Sequence, residues 1–171
     1  APNDRAFVQE LIYGTLRFYI ALGALINPLL QKPLKPKDCD IYALILSAAY
    51  QLNYLGTPPH AAINEAVAAT KALNKEWARG FVNAVLRNFE RQRTQQTIEK
   101  SSDQKILLAD WQQASHPQWL FGKLKKNYPQ QLQSIIAANN EKGPMTLRVN
   151  TQKIARDDYL QQLTNAGIAA A

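Results

Sequence analysis

The sequence predicts a mainly α-helical protein whose C-terminal end changes to a strand followed by a helix. Apolar residues recur every three or four positions through most of the chain, as they do on one face of a helix. Residues 145–149 instead alternate apolar and polar side chains, and this period of two indicates a half-buried strand. Hydrophobic residues make up 46% of the chain, so a core can form without metal or disulfide support.

Four amphipathic helices are predicted in the first half of the chain, over residues 4–22, 41–55, 59–70 and 76–93. The second is the clearest, because seven apolar residues fall on one helical face before Gly56 ends the pattern. Two consecutive prolines suit the start of the third helix, since proline fits the first helical turn. On the fourth helix, one side is expected to carry Trp77, Phe81, Ala84 and Val85.

The second half of the chain begins with a polar stretch, residues 94–105, that is either a helix extension or a linker. Short helical patterns follow at residues 106–111, 117–127 and 129–140, then the strand, then a helix at 157–166. A single strand leaves both edges unpaired, so this last α/β unit is incomplete. The predicted division is a helical domain at 1–93, a linker and helical connector at 94–143, and a truncated α/β subdomain at 144–171.

The charge of the chain is basic, with 20 Lys and Arg against 13 Asp and Glu. The net charge of +7 favours a polyanionic partner such as a nucleic acid, although many basic proteins bind none. Cys39 is the only cysteine, so no intrachain disulfide can form. No apolar run approaches the roughly 20 residues of a membrane span. We therefore expect a cytoplasmic, monomeric protein with no membrane contact.

Residue types that carry chemistry are sparse. The seven glycines are all isolated, so no glycine-rich loop for a nucleotide cofactor is visible. His60 and His116 have no cysteine or carboxylate at ligand spacing, and each is better interpreted as a residue near a helix start with local hydrogen bonds. We therefore predict no catalytic, cofactor-binding or metal-binding residue in this chain.

Two basic clusters are the candidate RNA-binding residues. On the fourth helix, Arg79, Arg87 and Arg91 share an i+4 row with Asn83, and Arg93 follows. Such a ridge suits phosphate groups, but the last arginines could equally complement the helix dipole or pair with Glu90.

The second basic cluster comprises Lys123, Lys125 and Lys126, which are interleaved with aromatic side chains. Cations beside aromatic rings suit unpaired RNA. Trp119, however, is expected to lie in the core, with the lysines outside.

Three motifs in the first half together resemble the NusB-type helical RNA-binding fold. They are GTLR at 14–17, PPHAAINEAV at 58–67 and FVNAVLR at 81–87. Motifs in the second half resemble the connector and first substrate-recognition strand of bacterial ribosomal-RNA cytosine-5 methyltransferases, namely HPQWL at 116–120, YP at 128–129, ANN at 138–140 and PMTLRVN at 144–150. This resemblance implies a NusB-like bundle, a connector and the start of an RRM-like α/β subdomain.

The resemblance also implies a function. Members of the methyltransferase family transfer a methyl group from S-adenosylmethionine to carbon 5 of a cytosine in small-subunit ribosomal RNA, after a cysteine adds to the ring. The family's cysteines follow proline or threonine, whereas Cys39 follows Asp38, so this chain lacks the nucleophile. Arg148 matches the family's strand motif and is expected near the substrate, or else is simply an exposed strand arginine.

Three hypotheses follow. The first is the RNA-binding, non-catalytic N-terminal portion of a ribosomal-RNA methyltransferase whose parent protein binds S-adenosylmethionine. The second is a stand-alone NusB-like antitermination or RNA-binding adaptor, for which the bundle would suffice. The third is a helical scaffold without RNA, whose arginine row is only a solvated face.

Overall fold

The computed structural model describes residues 2–98, 108–143 and 146–170, and it forms two compact units, residues 1–140 and 141–171. The first unit begins with five helices, α1 (Pro2–Arg17), α2 (Tyr19–Ile26), α3 (Cys39–Tyr50), α4 (Pro59–Ala72) and α5 (Arg79–Ile98). Three shorter helices follow, α6 (Asp110–Gln113), α7 (Gln118–Asn127) and α8 (Leu132–Asn140). The prediction of a mainly helical chain with a NusB-like bundle is confirmed.

Local backbone conformation shows where two of the helices end. The predicted first helix is two helices, because the backbone at Phe18 leaves the helical region (φ −101°, ψ 17°). The α3 helix ends in a π-helical turn, Gln51–Leu55, and Gly56 then adopts a left-handed conformation (φ 62°) that glycine tolerates at little cost. The predicted stop at Gly56 therefore has a backbone cause.

The core of the first unit is centred on α3, which packs against α1, α2, α4 and α5. Its largest fully buried side chains are Leu22, Ile26, Ile41, Ile45, Leu46, Leu52, Val82 and Leu86. Because α3 contributes apolar residues on nearly all sides, its neighbours can surround it. Removing this much apolar surface from water is the main force that holds the bundle together.

The predicted core side of α5 is wrong in part. Trp77 is 60% exposed and Ala84 is also exposed, whereas Val82, Leu86 and Phe89 are buried. Trp77 precedes the helix, in a 3-10 turn at Glu76–Ala78, so its direction does not follow the helical period of α5.

A close approach explains why the first helix carries glycine at position 14. A Cβ atom at Gly14 would lie 2.0 Å from Cζ of Tyr50, so the Tyr50 ring occupies the space of a side chain. This ring stacks with Phe18 and Tyr54, and its hydroxyl donates a 2.8 Å hydrogen bond to Glu10. The GTLR motif therefore lies at the contact between α1 and α3.

The connector helices form a second, smaller apolar cluster of Ala114, Phe121, Leu132 and Ile136 within the first unit. Ser115 joins this cluster to the bundle, because its hydroxyl donates a 3.0 Å hydrogen bond to the Arg17 carbonyl. The buried His116 ring accepts a 3.1 Å hydrogen bond from Asn139, while its other nitrogen donates to the Ala114 carbonyl.

The helix α5 continues to Ile98, past the predicted boundary at residue 93. The polar stretch therefore starts as a helix extension, and residues 99–107 lie outside the described part. Division of the chain at residues 93 and 143 stays a prediction.

The second unit contains α9 (Arg156–Asn165), which confirms the predicted helix near the C-terminus. The strand expected at residues 145–149 is not confirmed. Residues 146–150 form no strand, and Met145 lies outside the described residues. A strand is defined by hydrogen bonds to a neighbour, and no second extended segment pairs with these residues in the described part of the chain.

Candidate nucleic-acid interface

The arginine row predicted on α5 is exposed over most of its length. Arg79, Arg87 and Arg91 are all exposed, whereas Val82 and Phe89 of the same helix are buried. The Nε atom of Arg87 donates a 2.9 Å hydrogen bond to Oδ1 of Asn83, one turn earlier. This bond uses the Nε donor of the exposed guanidinium group, whose Nη donors can bind the oxygens of a phosphate.

Arg93 differs from the other arginines of α5. It is half-buried, and its Nε and Nη2 atoms donate to the two carboxylate oxygens of Glu90 at 2.9 and 3.0 Å. The alternative considered from the sequence, a pair with Glu90, is therefore present. Binding of a phosphate by Arg93 would require it to leave a bidentate pair, so it contributes less to an anion-binding surface than Arg87.

The lysine cluster lies on α7. Trp119 is 65% exposed, so its expected place in the core is wrong; Phe121 is the residue buried there. Phe121 and Leu124 are the residues of α7 that pack into the small second core. The Nζ atom of Lys123 lies 5.5 Å from the centroid of the Trp119 ring, within the range of a cation–π interaction.

The other lysines of α7 are also exposed. The Nζ atom of Lys125 is 4.0 Å from a carboxylate oxygen of Asp110 on α6, a loose surface contact, and Lys126 lies in the last helical turn. One lysine, Lys123, therefore lies beside the exposed indole and two more are exposed on the same helix, an arrangement suited to an unpaired base and its phosphates.

In the second unit, Arg148 is exposed on the segment before α9. The side chain of Val149 is half-buried, while Leu147 is 54% exposed. Arg148 is accordingly accessible to a ligand.

A groove that the sequence did not reveal lies between the loop at residues 31–37 and the turn before α5. Its lining includes Lys32, Lys35, Lys37, Trp77 and Phe81, around a space of about 450 Å³. The basic, proline-rich loop was a visible signal, but nothing in the sequence indicated that Trp77 lies beside it. This groove is therefore a third candidate RNA-binding surface, in addition to the two predicted clusters.

Acidic side chains near this groove are paired with Lys75. Its Nζ atom donates to Asp38 at 2.9 Å and to Asp40 at 2.7 Å. The hydrogen bond that Lys75 donates to Asp38, followed by the one to Asp40, raises the pKa of Lys75, and the second of these bonds lowers the pKa of Asp40. Both shifts favour the charged forms of Lys75 and Asp40, and this lysine offsets part of the acidic charge beside the groove.

Neither a metal site nor a membrane span is visible in the described ranges. Across residues 2–98, 108–143 and 146–170, no three His, Cys, Asp or Glu side chains lie close enough to hold a metal ion. Within the same residues, no helix combines the length and apolar character needed to cross a membrane.

Comparison with known families gives two matches. Residues 1–91 match the NusB family, and residues 116–171 match the ferredoxin-like domain of RsmF/B-like methyltransferases. The first match covers α1 to α4 and the part of α5 that carries the exposed arginines. The second starts at His116 and therefore includes α7 as well as the second unit.

Similar proteins are identical to this chain at more than two fifths of the aligned positions. A probable ribosomal RNA small subunit methyltransferase B of Coxiella burnetii is 42% identical over 98% of the chain and 38% of its own length. Ribosomal RNA small subunit methyltransferase B of Pseudomonas syringae pv. tomato is 44% identical over 99% and 36%. The protein of that name from Vibrio vulnificus is 42% identical over 98% and 38%.

The chain spans less than two fifths of the length of these relatives, and it corresponds to their N-terminal portion. The bundle, the connector and the C-terminal unit are all covered by the alignments. The chain belongs to the NusB family, with an RsmF/B-type ferredoxin-like region, as in the ribosomal RNA small subunit methyltransferase B proteins.

Proposed function

We propose that the chain is the RNA-binding portion of an S-adenosylmethionine-dependent methyltransferase that makes 5-methylcytosine in small-subunit ribosomal RNA. The observation that carries this proposal is the row of exposed arginines on α5, within a NusB-family bundle whose relatives are named as ribosomal RNA methyltransferases. The chain itself binds and positions RNA; the methyl transfer belongs to the remaining part of the parent protein, which also binds the cofactor.

Phosphate groups are the ligands of the α5 surface. Arg87 and Arg91 lie one turn apart, about 6 Å along the helix axis, a spacing close to that of neighbouring phosphates along an RNA strand, and Arg79 lies about 12 Å before Arg87. Their guanidinium groups remain charged at any physiological pH and can bind two phosphate oxygens at once. Each phosphate that is neutralised releases counterions, which favours binding at low salt.

The α7 surface binds an unpaired base. The exposed Trp119 ring offers a flat face, and Lys123, Lys125 and Lys126 attract the phosphates beside that base. Arg148, in the separate C-terminal unit, contributes a further contact near the target nucleotide. We also propose that residues 1–93, 94–143 and 144–171 act as bundle, connector and α/β subdomain of a cytoplasmic, monomeric protein.

Substitution of the α5 arginines tests this function. The triple variant Arg79→Gln, Arg87→Gln and Arg91→Gln should lower affinity for small-subunit ribosomal RNA by about tenfold or more, because three phosphate contacts are lost. Arg156→Gln is the matched control, since Arg156 lies on α9 and is near Asp157 at 3.5 Å. Equal affinity for the triple variant and the wild type, with unchanged folding, would contradict binding by α5.

A second candidate function is a NusB-like adaptor, which the family match over residues 1–91 favours. In an adaptor, the bundle alone would bind RNA and α7 would be idle. The variant Lys123→Gln, Lys125→Gln and Lys126→Gln separates the two functions in the full chain. Unchanged RNA affinity would favour the adaptor, whereas a severalfold loss would favour the methyltransferase arrangement.

A further inference from the structure

We propose that the groove between residues 31–37 and Trp77 binds one unpaired RNA nucleotide, with its base stacked on Trp77 and its phosphates held by Lys32, Lys35 and Lys37. This inference rests on the proposed RNA-binding function. It adds a site that neither the arginine row nor the α7 lysines include.

The dimensions and lining of the groove suit a nucleobase. Its space of about 450 Å³ lies within the usual range of small-ligand sites, and a nucleotide fills it without demanding a deep cavity. Leu34 and Phe81 provide half-buried apolar surface within it, and Trp77 presents an exposed indole. A base can therefore exchange water for apolar contact on more than one side.

The backbone at Trp77 is anchored although the side chain is exposed. The next residue, Ala78, is fully buried, and its backbone amide donates a 2.9 Å hydrogen bond to the Lys75 carbonyl. A 3-10 turn at Glu76–Ala78 thus anchors the backbone while the indole remains 60% in solvent. Because the backbone is anchored, only the indole has to be ordered when a base stacks on it, and stacking is tolerant of base identity.

The charge of the groove selects an anionic ligand. Lys32, Lys35 and Lys37 are all exposed, and the single acidic residue of the lining, Asp38, is buried and bonded to Lys75 at 2.9 Å. Phosphates therefore meet three cations with the local carboxylate already paired. This charge favours RNA over an uncharged apolar peptide, which would gain nothing from the lysines.

The groove is continuous in sequence with the α5 surface. Arg79, the first residue of α5, follows Trp77 by two residues, and Arg87 lies two turns further along the helix. A single strand with one base on Trp77 can therefore extend its backbone toward the arginine row. The groove gives this surface a contact with a base in addition to contacts with phosphates.

Photocrosslinking of the full chain locates the stacked base. A single-stranded oligoribonucleotide containing 5-iodouridine is bound, irradiated and digested with the protein by trypsin. Cleavage after Lys75 and Arg79 isolates Trp77 in a four-residue peptide, whereas Trp111 and Trp119 share the peptide 106–123. We expect crosslinks on the peptide 76–79. Crosslinks confined to the peptide 106–123 would overturn the groove as a base-binding site.

Affinity measurements with the same oligonucleotide give an independent test. Trp77→Ala should weaken binding by about tenfold, as loss of one stacked base does, and Trp77→Phe should restore most of it. Tyr13→Ala is the matched control, because Tyr13 is 57% exposed on α1 and outside the groove. Replacing Lys32, Lys35 and Lys37 with glutamine should reduce the slope of log affinity against log salt by about 2.

The outcomes distinguish the groove from the proposed function. If Trp77→Ala binds like wild type while the α5 arginine variant loses affinity, the groove is overturned and RNA binding stands. If the wild type binds no RNA at low salt, both fail. Binding of an acidic peptide in place of RNA, abolished by Trp77→Ala, would also overturn an RNA nucleotide as the occupant.

Discussion

Replacing Gly14 with alanine should destabilise the bundle, although alanine is the better helix former. In an open helical position this change stabilises a protein by up to about 1 kcal/mol. At Gly14, however, the new Cβ atom would lie 2.0 Å from Cζ and 2.5 Å from Cε1 of Tyr50. The ring must therefore move, and it is held by stacking with Phe18 and Tyr54, with ring centroids 6.2 and 5.3 Å away.

The cost of moving Tyr50 exceeds the gain in helix propensity. Overpacking of a filled site costs about 1–3 kcal/mol. Loss of the 2.8 Å hydrogen bond from the Tyr50 hydroxyl to Glu10 adds about 1 kcal/mol, the value typical of one hydrogen bond. After the propensity gain is subtracted, Gly14→Ala should lower the free energy of unfolding by about 1–3 kcal/mol. For a chain of this size that corresponds to a decrease in Tm of roughly 2–10 °C.

Urea and thermal unfolding followed by circular dichroism measure this change. Gly122→Ala on α7 is the matched control, because nothing lies within 4 Å of a Cβ atom at Gly122, and it should leave stability unchanged or slightly higher. Tyr50→Leu in the Gly14→Ala background should recover part of the loss by removing the obstructing ring. If Gly14→Ala is as stable as wild type, the close packing of α1 on Tyr50 is refuted.

Three further predictions concern ionisation and exposure. Burial, followed by the hydrogen bond to Glu10, raises the pKa of Tyr50 to about 12, so stability should fall as pH rises through 10 to 12. Burial also raises the pKa of Tyr42 and Tyr54, so Tyr50→Phe should reduce the late phase of absorbance at 295 nm without abolishing it, and a late phase of unchanged amplitude would contradict the raised pKa of Tyr50. Lys75→Met should lower Tm, because Asp38 stays buried without its cation, and an equal Tm for Lys75→Met and wild type at pH 7 would contradict a stabilising role of Lys75. Since the pKa of Asp40 lies below 3.8 and that of Lys75 above 10.5, the ion pair between Lys75 and Asp40 should stabilise the fold between these pH values and weaken outside them. Trp119→Ala should leave Tm within about 2 °C of wild type, because the ring is exposed, and a larger decrease would mean that Trp119 supports the second core.

The helices of the bundle were predictable because their apolar stripes repeat with the helical period. The stripe of α3 and the stop at Gly56 are both present in the structure. The break at Phe18 was not predictable, since the residues on either side continue the same apolar pattern, and only packing bends the chain there.

The side chains of two tryptophans were placed wrongly. Helical spacing put Trp77 on one side with Phe81, Ala84 and Val85, and the usual burial of large apolar residues put Trp119 in the core. Other apolar residues, Val82 on α5 and Phe121 on α7, are buried instead. Which of two neighbouring stripes faces inward depends on the partner helices, and sequence spacing does not contain that information.

The candidate site was predictable where it lies on one helix. The exposed arginine row follows directly from i+4 spacing on α5, whereas the pair between Arg93 and Glu90 was one of two open alternatives. The groove at Trp77 could not be predicted, because it combines a loop at residues 31–37 with a turn 40 residues later. Contacts of that kind arise only from tertiary packing.

The proposed function requires that this bundle binds RNA through its cationic surfaces. The most direct test of this binding is to measure the affinity of the chain for small-subunit ribosomal RNA as salt concentration rises. Each phosphate neutralised on a single strand contributes a slope of about −0.7 in log affinity against log salt. Contacts from Arg79, Arg87 and Arg91 alone therefore predict a slope of about −2, and the α7 and groove lysines should make it steeper. Absence of binding at low salt, or affinity that does not change with salt, would contradict RNA binding by this chain.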